Sequence, residues 1–339
     1  MRWASTPPSS TCSSRDLRRS GRGDPAGPGA RPDGGPVGGD ACITVAWARR
    51  SAVGARAVEV AVVQSPQVDQ GHGQASGWTA ADTQDVLCAL CGIPGRALYR
   101  LDPFGVVRCP TCRLVFVSPR LTPEALQRLY DEPAYFEGGV YGDQGRLSPA
   151  MLLQRTWTAG RLALIAAQRP APARLLEIGS AYGLFLDAAR AKGYEVSGVE
   201  LSRTGAEHSR ARFGLDVFCG QLEDAPTDEA DVVCFWDTLE HVPDPLEFLR
   251  QVRSRLADDG VFALSVPYFS SLPARLLRTR WWTLKPEQHI WHYTPQTLSV
   301  LAARAGLVVT EVITSPVRPA NVTRLDSLVA IGRALPAGD

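Results

Sequence analysis

The chain has 339 residues, of which 45% are hydrophobic, and its formal net charge at pH 7 is +1. This length allows one large domain or two modest ones, and the near-zero charge gives no whole-chain attraction to nucleic acid or to an anionic membrane. No apolar run reaches the ~18 residues of a membrane span and no secretory signal is recognised, so we expect a cytoplasmic protein without a membrane span.

Residues 1–82 show no pattern of a folded unit. Fourteen of the first 40 residues are Gly or Pro, and such a composition cannot bury enough apolar surface to offset the entropy of ordering. We expect this segment to be disordered or a non-native extension from an upstream start codon. A transit peptide is a further alternative, although the acidic residues Asp16, Asp24, Asp33 and Asp40 count against it.

Four of the eight cysteines form two pairs, Cys88 with Cys91 and Cys109 with Cys112. The spacing C-x-x-C, seventeen residues, C-x-x-C places four soft ligands on two short turns, as in a tetrahedral zinc ribbon. We therefore predict a ribbon with structural Zn²⁺, followed by a linker helix, over residues 83–148. Iron in a rubredoxin-like site fits the same four thiolates.

After Pro149 a helical stretch is followed by alternating strands and helices, as a mainly parallel sheet requires. We predict strands near 174–178, 194–200, 215–219, 231–237, 261–267, 307–314 and 326–333. Helices are predicted near 182–192, 203–212, 245–256 and 295–305. The fold class is α/β: a doubly wound, Rossmann-like sheet over residues 149–339, preceded by the small zinc ribbon with its four cysteines.

The turn in "RLLEIGSAYG" does not match a dinucleotide-binding fingerprint. With Gly179 as the first glycine, G-x-G-x-x-G would need glycine where the chain has Ala181 and Leu184. Glu177, just before the turn, is poorly matched to a pyrophosphate but suits a ligand that carries an ammonium and a sulfonium. Glu200 ends the next strand, where its carboxylate can accept hydrogen bonds from both ribose hydroxyls of an adenosine. These acids favour S-adenosylmethionine, the alternative being a tight turn without a ligand.

With these motifs, residues 150–335 resemble the class I S-adenosylmethionine-dependent methyltransferases. The matching segments are "LLEIGSAYGLFL", "VSGVELS", the stretch from "GQLED" to "LSVP", and "EQHIWHYTPQTLSVLAARAGLVV". The resemblance implies a methyltransferase sheet whose last strand is antiparallel. It also implies a cofactor site with the methionine part over the glycine turn, the ribose at Glu200, the adenine at the "GQLED" segment and the end of the fourth strand beside the cofactor. The implied cofactor-binding residues are Glu177, Gly179, Ala181, Gly183, Glu200, Gln221, Leu222 and Asp237.

Methyl transfer from a sulfonium is an in-line displacement, in which the enzyme positions the nucleophile and, for a hydroxyl, removes its proton. The segment "DTLEHVPDP" places His241 just past the fourth strand, and "KPEQHIWHYTP" supplies His289 and His292 in a Trp-rich insertion. We select His241 and His289 as candidate catalytic residues. The alternatives for these histidines are roles in packing or in starting a helix. The aromatic residues of the insertion either stack on an acceptor or belong to the core; they are Trp281, Trp282, Trp291 and Tyr293.

The predicted function is S-adenosylmethionine-dependent methylation of a small molecule, at a hydroxyl or carbon of a sugar-like, lipid or secondary-metabolite acceptor. The ribbon with "LVFVSPRLTPEALQRLYDEPAYF" resembles the zinc-binding segment that precedes the methyltransferase domain of sugar C-methyltransferases, whose further C-terminal domain we expect to be missing here. One alternative is a catalytically silent cofactor-binding protein that recruits a partner. Another is an RNA methyltransferase whose ribbon grips phosphates through Arg96, Arg100, Arg108 and Arg113. The oligomeric state is not predicted.

Overall fold

The computed structural model describes residues 77–131, 149–226, 228–314 and 324–335. The predictions for residues 1–76 and for the later part of the linker segment, 132–148, lie outside this described part of the chain. A short 3-10 helix, Ala80–Asp82, leads into the first strand. None of the helices in the described ranges is long and apolar enough to cross a bilayer.

Thirteen strands and seven α-helices make up the described structure. The strands are β1 Thr83–Gln84, β2 Arg96–Leu101, β3 Phe104–Arg108, β4 Val115–Val117, β5 Arg120–Leu121, β6 Arg174–Ile178, β7 Glu195–Glu200, β8 Val217–Cys219, β9 Ala230–Trp236, β10 Leu256–Pro267, β11 Trp291–His292, β12 Leu307–Ile313 and β13 Ser327–Ala334. The helices are α1 Pro123–Asp131, α2 Pro149–Gln168, α3 Leu184–Arg190, α4 Arg203–Phe213, α5 Pro245–Arg255, α6 Leu272–Leu277 and α7 Pro295–Arg304.

The large sheet has the strand order β12-β13-β10-β9-β6-β7-β8. Strands β10, β9, β6, β7 and β8 run parallel, and β13 is antiparallel to both of its neighbours. The predicted α/β class with an antiparallel last strand is therefore confirmed. The order reverses between β6 and β9, where the carboxyl ends of the strands form the crevice in which ligands of such sheets bind.

Helices cover both faces of this sheet, so the central strands read as continuous apolar runs rather than as an alternation. In β9, Val233 and Phe235 belong to one core cluster and Val232 and Cys234 to the other, as successive side chains of a strand point to opposite faces. All seven predicted strands of this sheet are present. Strand β10 begins earlier than predicted because its pairing with β9 continues, after a register shift, to Leu256.

The four cysteines lie on two turns beside a small antiparallel sheet with the order β11-β4-β3-β2, while β1 pairs with β5. Strand β11 comes from the far part of the chain and pairs with β4, so the ribbon is joined to the insertion after β10 by backbone hydrogen bonds. The ribbon residues Leu114 and Phe116 also share a core cluster with Val233 and Phe235 of the large sheet. The ribbon thus packs onto the large sheet, and the division of the chain at residue 149 stays a prediction.

Candidate functional site

The glycine turn after β6 combines backbone strain with close packing. Gly179, Ala181 and Gly183 have φ values of 74°, 46° and 77°, in the left-handed region that glycine enters most easily. A Cβ at Gly179 would lie 2.7 Å from the Thr238 Oγ1, and one at Gly183 would lie 2.7 Å from the Leu215 Cδ1. Helix α3 begins only after Gly183, two residues later than predicted, because the left-handed conformation of Gly183 cannot belong to a helix.

Glu200 fixes the turn to the end of β7. Its carboxylate accepts hydrogen bonds from the backbone N–H groups of Ala181 and Ser202, both at 2.7 Å. Gly205 allows helix α4 to lie close to the glycine turn, because a Cβ at this position would be only 2.8 Å from the Ala181 carbonyl oxygen. Burial raises the pKa of Glu200, although these N–H groups oppose the shift. Each carboxylate oxygen has a second lone pair, so Glu200 retains the capacity to accept two hydroxyls.

Glu177 is almost fully buried, and its Oε2 has no hydrogen-bond partner among the described residues. Burial raises its pKa well above the usual value, against the opposing charge of Arg161. An unpartnered buried carboxyl oxygen is costly unless a ligand pairs with it. The ammonium group of an amino acid such as the methionine part of S-adenosylmethionine fits this position chemically.

The remaining predicted cofactor residues lie at the ends of β8 and β9. The Gly220 N–H donates to the Glu200 carbonyl oxygen at 3.0 Å, which brings the predicted adenine segment beside β7. Gln221 is exposed, whereas Leu222 starts a 3-10 helix and is buried in the core. The carboxyl ends of parallel strands therefore bring the predicted residues together at one edge of the sheet.

Asp237, directly after β9, has a φ of 50° and lies in a charged network. Its carboxylate accepts a hydrogen bond from the Ser265 hydroxyl at 3.2 Å and pairs with Arg324 at 3.1 Å and with Arg161 at 3.6 Å. Burial acts to raise the pKa of Asp237, but the two guanidinium groups outweigh it, so the pKa lies below its ordinary value. Asp237 is thus held ionised.

A second cluster lies after β9, where ligand atoms of Glu240, His241 and His289 are all within 4.8 Å of one another. The centroids of the two imidazole rings are 4.7 Å apart. His289 Nδ1 is 2.7 Å from the Thr283 carbonyl oxygen, which favours the tautomer protonated at Nδ1 and leaves Nε2 as an acceptor. The structure therefore brings the two predicted catalytic histidines together, although 48 residues separate them.

Burial controls the protonation of all three groups. It lowers the pKa of His241 to about 4 and the pKa of His289 well below the usual value, with the neighbouring His241 adding to the second shift. It raises the pKa of Glu240 well above the usual value, and the charge of Asp237 adds to this shift. At neutral pH the cluster therefore contains two neutral bases and one neutral acid.

Glu240 is the residue that sequence reasoning missed. It is fully buried, and neither carboxyl oxygen has a hydrogen-bond partner in the described part of the chain. In the sequence, its position next to His241 in "LEHV" is the signal that could have indicated a functional role. His292, by contrast, lies outside the cluster and packs between Phe269 and Trp281.

The four thiols of the ribbon lie within 4.8 Å of one another, on two turns of matching geometry. The Gly92 N–H donates to the Cys88 carbonyl and the Arg113 N–H to the Cys109 carbonyl, and both donor residues are left-handed. Each turn thus aims two sulfur atoms at a common centre. Cys88 and Cys109 are buried, whereas Cys91 and Cys112 are half-buried. A convergent set of four soft ligands is chemically suited to Zn²⁺ or iron.

Comparisons with known proteins match large parts of the chain. Residues 152–312 match the family described as "Methyltransferase domain". The C-methyltransferase NovU of Streptomyces niveus is 26% identical over 236 residues, which cover 67% of this chain and 51% of NovU. The chain therefore spans about half the length of this curated relative.

Two solved structures are similar to parts of the chain at low identity. The 1,6-didemethyltoxoflavin-N1-methyltransferase of Burkholderia thailandensis is 18% identical, with a TM-score of 0.49 over 71% of this chain and 99% of that enzyme. An S-adenosylmethionine-dependent methyltransferase from Mesorhizobium loti is 21% identical, with a TM-score of 0.41 over 52% of this chain and 98% of that protein.

Proposed function

We propose that the domain matched over residues 152–312 is a class I S-adenosylmethionine-dependent methyltransferase and that it methylates a small-molecule acceptor. The acceptor atom is a hydroxyl oxygen or an acidic carbon of a sugar-like, lipid or secondary-metabolite compound. The observation that carries the proposal is the cluster of the buried Glu240 with the half-buried His241 and His289 at the carboxyl edge of the sheet. The similarity to NovU, which is named a C-methyltransferase, supports a carbon acceptor.

The cofactor supplies a methyl group on a sulfonium, and the residues of the chain hold and orient it. We assign the ammonium group to the unpartnered oxygen of Glu177 and the two ribose hydroxyls to Glu200. The adenine is assigned to Gln221 and Leu222, and the methionine part to the turn around Ala181. Asp237 closes the site as an ionised group.

His241 and His289 are the proposed proton acceptors. Each is neutral at pH 7 because of its burial, and a neutral imidazole can take the proton that an acceptor hydroxyl or carbon acid loses during methyl transfer. Glu240 is a neutral acid close to both rings, so after a small movement or through one water molecule it can donate a hydrogen bond to a ring nitrogen and orient the base. The neutral cluster thus matches the chemistry of general-base catalysis.

The test measures S-adenosylhomocysteine formation over a panel of sugar, lipid and aromatic acceptors. The variants are His241→Ala, His289→Ala and Glu240→Gln. We expect kcat to fall by about 10²–10⁴-fold in whichever histidine variant lacks the proton acceptor, which is the usual range for loss of general-base catalysis. Cofactor affinity, measured on the same samples, should stay unchanged. Full activity of all three variants would contradict the proposal, and no turnover with any acceptor would favour the silent cofactor-binding protein.

We further propose that the ribbon holds one structural Zn²⁺ through Cys88, Cys91, Cys109 and Cys112. Four thiolates leave no open coordination position, so the ion stabilises the ribbon and takes no part in the reaction. The side chain of Arg304 on α7 donates a hydrogen bond to the Leu90 carbonyl oxygen, between the first pair of cysteines. Metal analysis of the purified full chain distinguishes zinc from iron, and about one ion per chain is expected.

A further inference from the structure

Exposed apolar side chains are concentrated in one short segment of the insertion after β10. The described residues include ten exposed large hydrophobic side chains, and four of them lie between positions 272 and 282. These four are Leu272, Leu276, Leu277 and Trp282, which are 65%, 71%, 38% and 46% exposed. We call residues 272–282 the exposed face. Scattered single apolar residues need no explanation, but such a concentration marks an interaction site.

The exposed face has a rigid base. Ala274 and Trp281 pack with Val106 and Val115 of the ribbon in one hydrophobic cluster. The indole N–H of Trp281 donates to Asp326 at 3.0 Å, and the Ser271 hydroxyl accepts a hydrogen bond from the backbone N–H of Ala274. The neighbouring residues Trp281 and Trp282 therefore point in opposite directions, one into the protein and one into solvent. The leucines belong to a fixed surface.

The same face is strongly basic. Arg275, Arg278 and Arg280 are exposed, and residues 269–286 contain no acidic side chain. Within the described ranges, no ion pair joins these three arginines to a carboxylate. The near-neutral charge of the whole chain hides this local excess of positive charge.

We propose that the exposed face docks the protein onto the surface of an anionic lipid bilayer. Leucine side chains enter the boundary between headgroups and acyl chains, tryptophan prefers the headgroup level, and arginines bind lipid phosphates. A nucleic acid would engage the arginines but would leave the leucines in water, so the combination favours lipid. The insertion also carries His289, which places the docking face and the proposed acceptor site on one segment of the chain.

The test is flotation of the full-length protein with vesicles of phosphatidylcholine alone or mixed equally with phosphatidylglycerol. We expect binding to the anionic vesicles, with a loss at high ionic strength because salt screens the arginines. Leu276→Glu should lower the partition coefficient by about tenfold or more, since it removes an inserted apolar side chain and adds a repelled charge. The double variant Arg278→Ala with Arg280→Ala should lower it by roughly 30-fold, at about 1 kcal/mol for each lost charge.

The matched control is Val300→Glu, which changes an exposed apolar residue on α7 and should leave vesicle binding unchanged. Lipids with brominated acyl chains provide a second measurement: they should quench tryptophan fluorescence in the wild-type protein, and Trp282→Phe should remove most of the quenching. Absence of binding to anionic vesicles would overturn the proposal, and so would binding that Leu276→Glu leaves unchanged. Retention of RNA that depends on the arginines but not on Leu276 would identify a nucleic acid as the partner instead.

Discussion

The substitution Glu200→Gln tests the cofactor site at the residue with the best-defined geometry. Both carboxylate oxygens accept backbone N–H groups at 2.7 Å, from Ala181 and Ser202. In glutamine one of these oxygens is replaced by an NH₂ group. This group then faces a backbone N–H group, and two donors cannot form a hydrogen bond with each other. A hydrogen bond to a charged group contributes about 1.5–3 kcal/mol. Loss of the hydrogen bond to the ribose should therefore weaken binding by about 1.5–3 kcal/mol, or roughly 10–10²-fold in Kd, whereas loss of the bond in the turn destabilises the turn itself.

Calorimetric titration of S-adenosylmethionine and S-adenosylhomocysteine into both proteins measures the difference. Glu195→Gln, at the exposed start of the same strand, is the matched control and should bind as the wild type does. Because burial raises the pKa of Glu200, cofactor affinity should decrease as the pH falls through that raised value and the carboxylate becomes protonated. The glutamine variant should not show this decrease. A variant that folds and binds within about threefold of the wild type would refute the assignment of the ribose.

Three further predictions concern the turn, the histidines and the ribbon. Gly205→Ala places a Cβ 2.8 Å from the Ala181 carbonyl oxygen, so it should reduce the free energy of unfolding by about 1–3 kcal/mol in denaturant titrations and weaken cofactor binding. If His241 is the base, kcat/KM should stay flat below pH 6.5 and fall only as the pH approaches its pKa of about 4; a decrease centred near pH 6.5 would point to a different base. Removal of the metal by a strong chelator, or Cys109→Ser, should lower the melting temperature, and an unchanged melting curve would argue against a structural ion.

The order of strands and helices over residues 149–335 could be predicted because its signals are local. Apolar runs of strand length bounded by turns specify buried strands, as in β6 and β9. Left-handed turn residues such as Gly179 and Gly183 specify where a strand gives way to a helix. The predicted strands of the large sheet and all four predicted helices are present for this reason. Helix α6 was missed because its leucines face solvent and leave no amphipathic pattern that indicates a buried face.

The candidate site also has a part that could be predicted from local sequence and a part that could not. The proposed cofactor residues lie at or just beyond the carboxyl ends of parallel strands, so topology alone brings Glu177 and Glu200 to one edge of the sheet. The cluster of Glu240 with His289 could not be deduced, because the insertion after β10 must first fold back and pair β11 with β4 of the ribbon. Sequence patterns report the conformation of neighbouring residues and the face that they bury. Only tertiary packing decides which distant side chains meet, and burial there makes the two histidines neutral bases and Glu240 a neutral acid.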